Sequence, residues 1–382
     1  MEAPLSSSFR IAYSSSAQAR TIWVRLVLDD GTVGLGEAAP APLVTGETLE
    51  AAAGYVAAAA RRLRGLPLPG GLREALREAH AGAPCCPSAR AGLEEAILAA
   101  AAAALGGEEA LLLGSSGRPR LTTDYTVSIP SPRVLREIAE TGYSAALAEA
   151  VEYITGRRGE PPRADTGIPL PPVTGFDTLK VKLGTGSPGL DAALAEAVAE
   201  AAPRAAIRLD ANQAWSPKTA ARVIKRLERV LGDQLQLVEQ PVPWDTGLEQ
   251  LAWLRRTVET PLALDEAVKT PRDVARAAAA GAADVVNIKL AKVGGPLQAA
   301  RAAAVAEAHG LEAMWGCMLE TGLGVAHAAT AAWATGQTRI VDLDAPLFLQ
   351  QDPGAAWASY RETPRGVEVE ATTPARRRSG ED

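Results

Sequence analysis

The chain is predicted to fold as an α/β protein, a TIM-like barrel of eight parallel strands joined to a smaller α+β unit on its N-terminal side. Three observations in its 382 residues predict this. The first 120 residues read as a hairpin followed by helices. From Leu121 short β-rich segments alternate with helical ones. Charged residues then recur at the ends of the β segments, at intervals of one βα unit.

In chain order, Thr21 to Leu28 alternates as a strand, Asp29-Asp30-Gly31 supplies a tight turn, and Thr32 to Gly36 returns. Gly46 to Leu63, Leu72 to His80 and Ser88 to Leu105 read as helices divided by Pro/Gly breaks. Their alanine runs carry few other signals and read as compositional habit, alanine being the best helix former. Barrel strands are expected at Thr123 to Ser128, Leu179 to Leu183, Ile207 to Asp210, Leu237 to Glu239, Leu262 to Asp265, Val285 to Lys289, Ala313 to Cys317 and Ile340 to Asp342. Arg157 to Val173, rich in Pro, Gly and Arg, reads as an exposed loop insertion. The tail from Thr372, with Arg376-Arg377-Arg378, reads as disordered.

The formal net charge of -6, with no basic stripe, argues against a nucleic-acid partner. There is no run of about eighteen uncharged apolar residues to span a membrane, and Met1 to Ser8 lacks the order of a signal peptide, so a cytoplasmic location is expected. Cys85, Cys86 and Cys317 make no disulfide framework. His80 and His309 read as helix-end residues and His327 as part of a helix after a late strand, with no metal-ligand spacing among them.

The chemistry gathers at strand ends. Lys180 and Lys182, at i and i+2 of one strand, project the same way. Lys182, Asp210, Glu239, Asp265 and Lys289 then follow at separations of 28, 29, 26 and 24 residues, with Asp342 and Asp344 at the last strand. Such a period puts all of them at the carboxyl-end mouth of a barrel, where Lys182 on the second strand and Lys289 on the sixth face each other. Asp210, Glu239 and Asp265 form a hard, all-oxygen set that favours Mg²⁺ over zinc, with Asn212 in support. A rim of solvated ion pairs is the competing reading, and it does not explain the order Lys, Asp, Glu, Asp, Lys on five successive strands.

A metal between two lysines suits removal of a proton next to a carboxylate, because a Lewis acid on both oxygens stabilises the resulting enediolate by several kcal/mol, on the order of other metal-assisted steps. A lysine base must be partly neutral, its pKa brought from about 10.4 towards 7 to 8. Repulsion from Lys180, with desolvation, is expected to do this for Lys182. Opposed bases remove the proton from one face and return it to the other, which is racemisation or epimerisation.

Lys180-x-Lys182, Asp210-Ala-Asn-Gln, Glu239-Gln-Pro, Asp265-Glu and Asn287-Ile-Lys-Leu-Ala-Lys-x-Gly-Gly295 together resemble the enolase superfamily, in its muconate-lactonizing subgroup. Thr123-Asp-Tyr-Thr-Val-Ser128, Gly316-Cys-Met-Leu-Glu-Thr321 and Asp342-Leu-Asp344 make it most similar to dipeptide epimerases of the L-Ala-D/L-Glu type. The resemblance runs from about Phe9 to Leu349. It implies a (β/α)7β barrel with an N-terminal α+β capping domain completed by the C-terminal segment: residues 1–120 as cap, 121–345 as barrel, 346–371 returning to the cap and 372–382 as tail. It further implies Mg²⁺, Lys182 and Lys289 as acid/base pair with Lys180 beside them, Asp210, Glu239 and Asp265 as metal ligands, and Asp342, Asp344 and Met318 as substrate-binding residues, the aspartates taking a dipeptide's ammonium. A homo-oligomer is compatible with this reading. N-acylamino acid racemase, o-succinylbenzoate synthase or cycloisomerase activity is the alternative on the same scaffold, and a non-catalytic binding protein the remote one. Ser14 stands where family members acting on glutamate carry an arginine. The usual first strand ahead of Pro4-Leu5 is expected to be missing, and the helix around Leu98-Ala99 lacks an aromatic-Asp pair.

Overall fold

The structure, a computed structural model, describes residues 1–82, 85–372 and 374–376. Eight parallel strands follow one another in chain order: Tyr125–Val127, Thr178–Lys182, Ala206–Asp210, Leu235–Glu239, Leu262–Leu264, Val285–Ile288, Glu312–Gly316 and Ile340–Asp342. The Asp124 N–H donates to Val341 O, bringing the first strand against the last. The intervening helices Pro188–Ala201, Pro217–Leu231 and Pro271–Ala280 start alike. Ser187, Ser216 and Thr270 accept from the N–H groups of Leu190, Thr219 and Asp273, and a proline follows each cap where its missing donor costs nothing. These caps fix where each helix begins and hence where each preceding strand must stop.

The cap holds a three-stranded sheet of Ile22–Val27, Val33–Ala38 and Ala375–Arg376, with Val27 paired to Val33 across the expected turn. Helix Pro87–Ala104 lies directly on it. A Cβ at Gly36 would stand 2.1 Å from Gly92 O, and one at Gly34 2.2 Å from Ala96 O, so the alanine run is the close-packing surface of this crossing rather than mere composition.

Three expectations need correction. The stretch Thr123 to Ser128 divides: Arg120–Thr123 joins a second three-stranded sheet with the returning hairpin Ala358–Thr363 and Gly366–Ala371, and only Tyr125–Val127 enters the barrel. The Pro4-Leu5 segment is itself extended, Glu2–Ile11 pairing with Ser14–Arg20 in a separate hairpin. The insertion at Arg157 to Val173 is only partly exposed. Thr166 to Pro169 are buried, with Thr166 O accepting from Ser131 N, Gly167 O from Arg10 Nη1 and Pro169 O from the Tyr125 hydroxyl, so the segment is wedged between hairpin and barrel. Lastly, part of the expected tail is paired: Pro374 O accepts from Leu35 N, and Ala375–Arg376 satisfies the open edge of Val33–Ala38. Residues 377–382 of that expected tail lie outside the described residues.

Candidate active site

Register brings the charges together. Lys182 and Asp210 are paired neighbours, as are Asp210 and Glu239, so three of the functional side chains leave adjacent strands at one level. Asp265 and Lys289 each follow directly on their strands, where the chain turns outward. Lys180, Lys182, Asp210, Glu239, Asp265, Lys289, Asp342 and Asp344 are all buried. Eight ionisable groups inside a barrel persist only if each is compensated.

The compensation is a lattice of ion pairs. Lys182 Nζ donates to Asp210 Oδ2 at 2.5 Å, and Lys289 Nζ to Asp265 Oδ2 at 2.7 Å. Lys180 Nζ lies 2.7 Å from Glu239, 2.7 Å from Asp342 and 3.2 Å from Asp210. Lys180, expected to act on Lys182 by repulsion, is thus a counter-ion shared by three carboxylates. Burial pulls its pKa down, but Asp342, Glu239 and Asp210 outweigh burial and raise it well above the ordinary value. Lys289 is likewise raised, Asp265 overriding its burial. Burial and the neighbouring Asp210 push Glu239 upward, whereas Asp265 falls despite its burial because Lys289 and Lys292 both hold it.

Asp210 and Glu239 share Lys180 Nζ, while Asp265 is held by Lys289 and Lys292. Among the described residues, the carboxylates that gather within 4.8 Å of one another are Asp124, Asp342 and Asp344. The other three repel each other and are each drawn to an ammonium instead. As donors they nonetheless suit a hard dication: all are oxygen ligands, all are buried, and they lie on consecutive strands between the two opposed lysines. The Asp124 group is placed differently, because Asp124 Oδ2 already accepts from the buried Arg208 Nη1 at 2.8 Å and Asp342 from Lys180. Asp344 accepts from Thr126 N at 2.6 Å, and burial together with Asp342 raises its carboxyl to about 7.

Several contributors carried no role in the sequence reading. Lys292, inside a quoted motif, donates to Asp265 Oδ1 at 2.6 Å and to Asn287 O at 2.8 Å, while Asn287 Nδ2 donates to Glu239 at 2.7 Å. Asp124 stood in a quoted stretch without assignment. Tyr13, on the cap hairpin turn, donates to Glu266 Oε1 at 3.1 Å, and Asn212 Nδ2 donates to the same oxygen at 3.3 Å. Glu37 reaches from the cap to accept from Thr321 N, Thr321 Oγ1 and Gly324 N, anchoring the loop that carries Met318. The only sequence signal for that clamp was a polar residue in an otherwise apolar strand.

These elements enclose a cavity of about 330 Å³ whose lining includes Lys182, Asn212, Asp265, Lys289 and Met318 below and the cap hairpin above. A larger cavity of about 380 Å³, lined by Asp124, Arg208 and several other arginines, opens instead at the amino ends of the strands, away from Lys182 and Lys289.

Comparison with known proteins agrees with this geometry. Residues 173–370 match the family described as enolase C-terminal domain-like. The chain is 35% identical over 353 residues, 91% of its length and 87% of the relative's, to the L-Ala-D/L-Glu epimerase of Bacillus subtilis (strain 168). It is 31% identical to the hydrophobic dipeptide epimerase of Enterococcus faecalis, over 94% of the chain and 92% of that relative. Among solved structures, the Enterococcus faecalis V583 dipeptide epimerase complexed with Mg and the dipeptide L-Leu-L-Tyr superposes with a TM-score of 0.80 at 29% identity, covering 98% of this chain and 96% of that one.

Proposed function

The chain belongs to the enolase superfamily, among its dipeptide epimerases, and from that premise we propose that it inverts the α-carbon of a dipeptide's carboxyl-terminal residue by 1,1-proton transfer in the presence of Mg²⁺. One observation carries the assignment of roles: Lys182 and Lys289, on the second and sixth of eight strands, line one cavity, each against a carboxylate of the same buried acidic set.

Asp210, Glu239 and Asp265 would hold the metal, which supplies Lewis-acid stabilisation of charge on the substrate carboxylate. Lys182 in its neutral form takes the α-proton of one epimer and neutral Lys289 that of the other, each delivering a proton when its opposite number removes one; the Asp265 charge that holds Lys289 protonated would be offset by a dication bound there. Lys180 stays charged, keeping three carboxylates in place. Lys292 positions Asp265, and Asn287 positions Glu239. Asp342 and Asp344 supply the anionic end that receives the dipeptide's ammonium, and Arg208 holds the neighbouring Asp124. Met318 forms part of the wall. The free cysteines support a cytoplasmic, reducing compartment.

Incubating the protein with Mg²⁺ and a dipeptide library in deuterated water tests this reading: α-hydrogen exchange, seen as a gain of one mass unit, is expected for dipeptides and is to vanish with chelator. Exchange confined to N-acylamino acids would favour the racemase alternative.

A further inference from the structure

Few directions are open to the substrate's reacting carbon. When planar it carries its carboxylate, amide nitrogen and side chain in one plane, with Lys182 and Lys289 on the two faces. The carboxylate turns towards Asp210, Glu239 and Asp265, and the amide nitrogen leads towards Asp342 and Asp344. What remains for the side chain is the way out of the mouth, beneath the cap hairpin, where the cavity of about 330 Å³ lies.

The walls of that space are apolar. Phe9 and Ile11 come from one hairpin strand, Val44 from a cap loop, and Met318 and Leu319 from the loop after the seventh barrel strand. Ser14, Ser16 and Gln18, alternating along the second hairpin strand, add neutral groups only. Apart from the groups already given catalytic or metal roles, the single charge in the lining is Arg20. It pairs with Glu2 at 3.1 Å and stands seven residues from the turn at Tyr13, roughly 23 Å along an extended strand. Glu266 is 1% exposed, with Oε1 taken by the Tyr13 hydroxyl and Asn212, and Glu266 is not among the residues lining the cavity. A charged side chain entering here would lose hydration, and the one counter-charge outside the catalytic and metal set, Arg20, is already engaged by Glu2.

Resting on the epimerase reading above, we propose that the residue inverted by this protein carries an uncharged, chiefly apolar side chain of leucine to phenylalanine size, selected by the cavity beneath the cap hairpin. The test compares kcat/KM for α-hydrogen exchange, with Mg²⁺ present, among L-Ala-L-Leu, L-Ala-L-Phe, L-Ala-L-Glu and L-Ala-L-Lys. Leucine and phenylalanine substrates are expected to exceed the glutamate and lysine ones by at least about tenfold, in line with the discrimination an apolar pocket supplies. Parity, or preference for either charged substrate, overturns the inference and leaves the epimerase reading standing. Exchange with none of the four dipeptides, beside exchange of N-acetyl-L-leucine, overturns both. Ile11→Arg places a cation in the wall and is expected to lower the leucine-to-glutamate ratio by about tenfold or more, chiefly through KM. An unchanged ratio in a variant that still exchanges L-Ala-L-Leu overturns the inference independently.

Discussion

Lys289 meets Asp265 at 2.7 Å while Lys182 meets Asp210 at 2.5 Å, so each candidate acid/base group rests on a different carboxylate of one set. Separate anchorage predicts separable losses. Lys289→Ala is expected to abolish exchange of one epimer's α-hydrogen, by about 10²- to 10⁴-fold, while exchange from the opposite face persists; equal loss on both faces would contradict the division of labour. Asp344→Ala is expected to lower kcat/KM for dipeptides by roughly 10- to 100-fold, the worth of a charge-assisted hydrogen bond, and to spare N-acylamino acids, which bring no ammonium. Kinetics on paired dipeptide and N-acyl substrates read this directly. At this scale the sequence was informative wherever a charge closed a strand, as at Asp210, Glu239 and Asp265. It was silent on Lys292, whose partners are Asp265 at the end of the adjacent strand and the Asn287 carbonyl, and on Asp124, whose partner Arg208 lies 84 residues away.

Among elements, the seventh barrel strand ends in a glycine for a steric reason. A Cβ at Gly316 would come within 2.6 Å of Asn287 Oδ1 and 3.0 Å of Lys289 Cε. Gly316→Ala is therefore expected to keep the fold, displace Lys289 and cost about 10²-fold in kcat, the penalty of an ångström-scale misplacement; unaltered kcat would mean that the lysine has room to spare. Gly36 on the cap strand differs, since its Cβ would meet backbone, 2.1 Å from Gly92 O. Gly36→Ala is expected to destabilise the cap by about 1–3 kcal/mol, read as a lowered Tm. The barrel strands were legible as short β-rich segments, most of them closed by a charge, and the cap helices from the Pro/Gly breaks between them. The hairpin Glu2–Ile11 with Ser14–Arg20 was not, because Ser6-Ser7-Ser8 and Ser14-Ser15-Ser16 give it no apolar period, and what seats it is distant in sequence: Phe9 stacks on Phe348 and Arg10 donates to Gly167 O. The insertion was misjudged on composition, where Pro and Gly also suit a tightly seated segment.

Across the whole molecule, cap and barrel meet over buried titratable groups. Glu95 rises to about 8 through burial, relieved in part by His327; burial pulls His327 down, but Glu109 and Glu95 carry it to about 9. Both groups bind protons more tightly when folded. Glu95 loses stabilisation as pH climbs from near 4.5 to 8, and the His327 contribution, full below about 6.5, is lost as pH rises through 9. Thermal stability is thus expected to fall between about pH 6.5 and 9, with a slope of up to about 1.4 kcal/mol per pH unit for each proton involved. A flat Tm over that window, or His327→Gln leaving the slope unchanged, would show that the seam does not titrate as a unit. This seam was unreadable beforehand because its members, Glu37, Glu95, Glu109, Glu320 and His327, are dispersed over nearly three hundred residues.

The cap sheet also takes its third strand from Ala375–Arg376, paired with Gly34 and Val33. During translation the first strands of that sheet must wait for almost the entire polypeptide to leave the ribosome. The barrel, whose strands pair in the order they are made, can assemble meanwhile, so this edge of the cap sheet is the last pairing to be made.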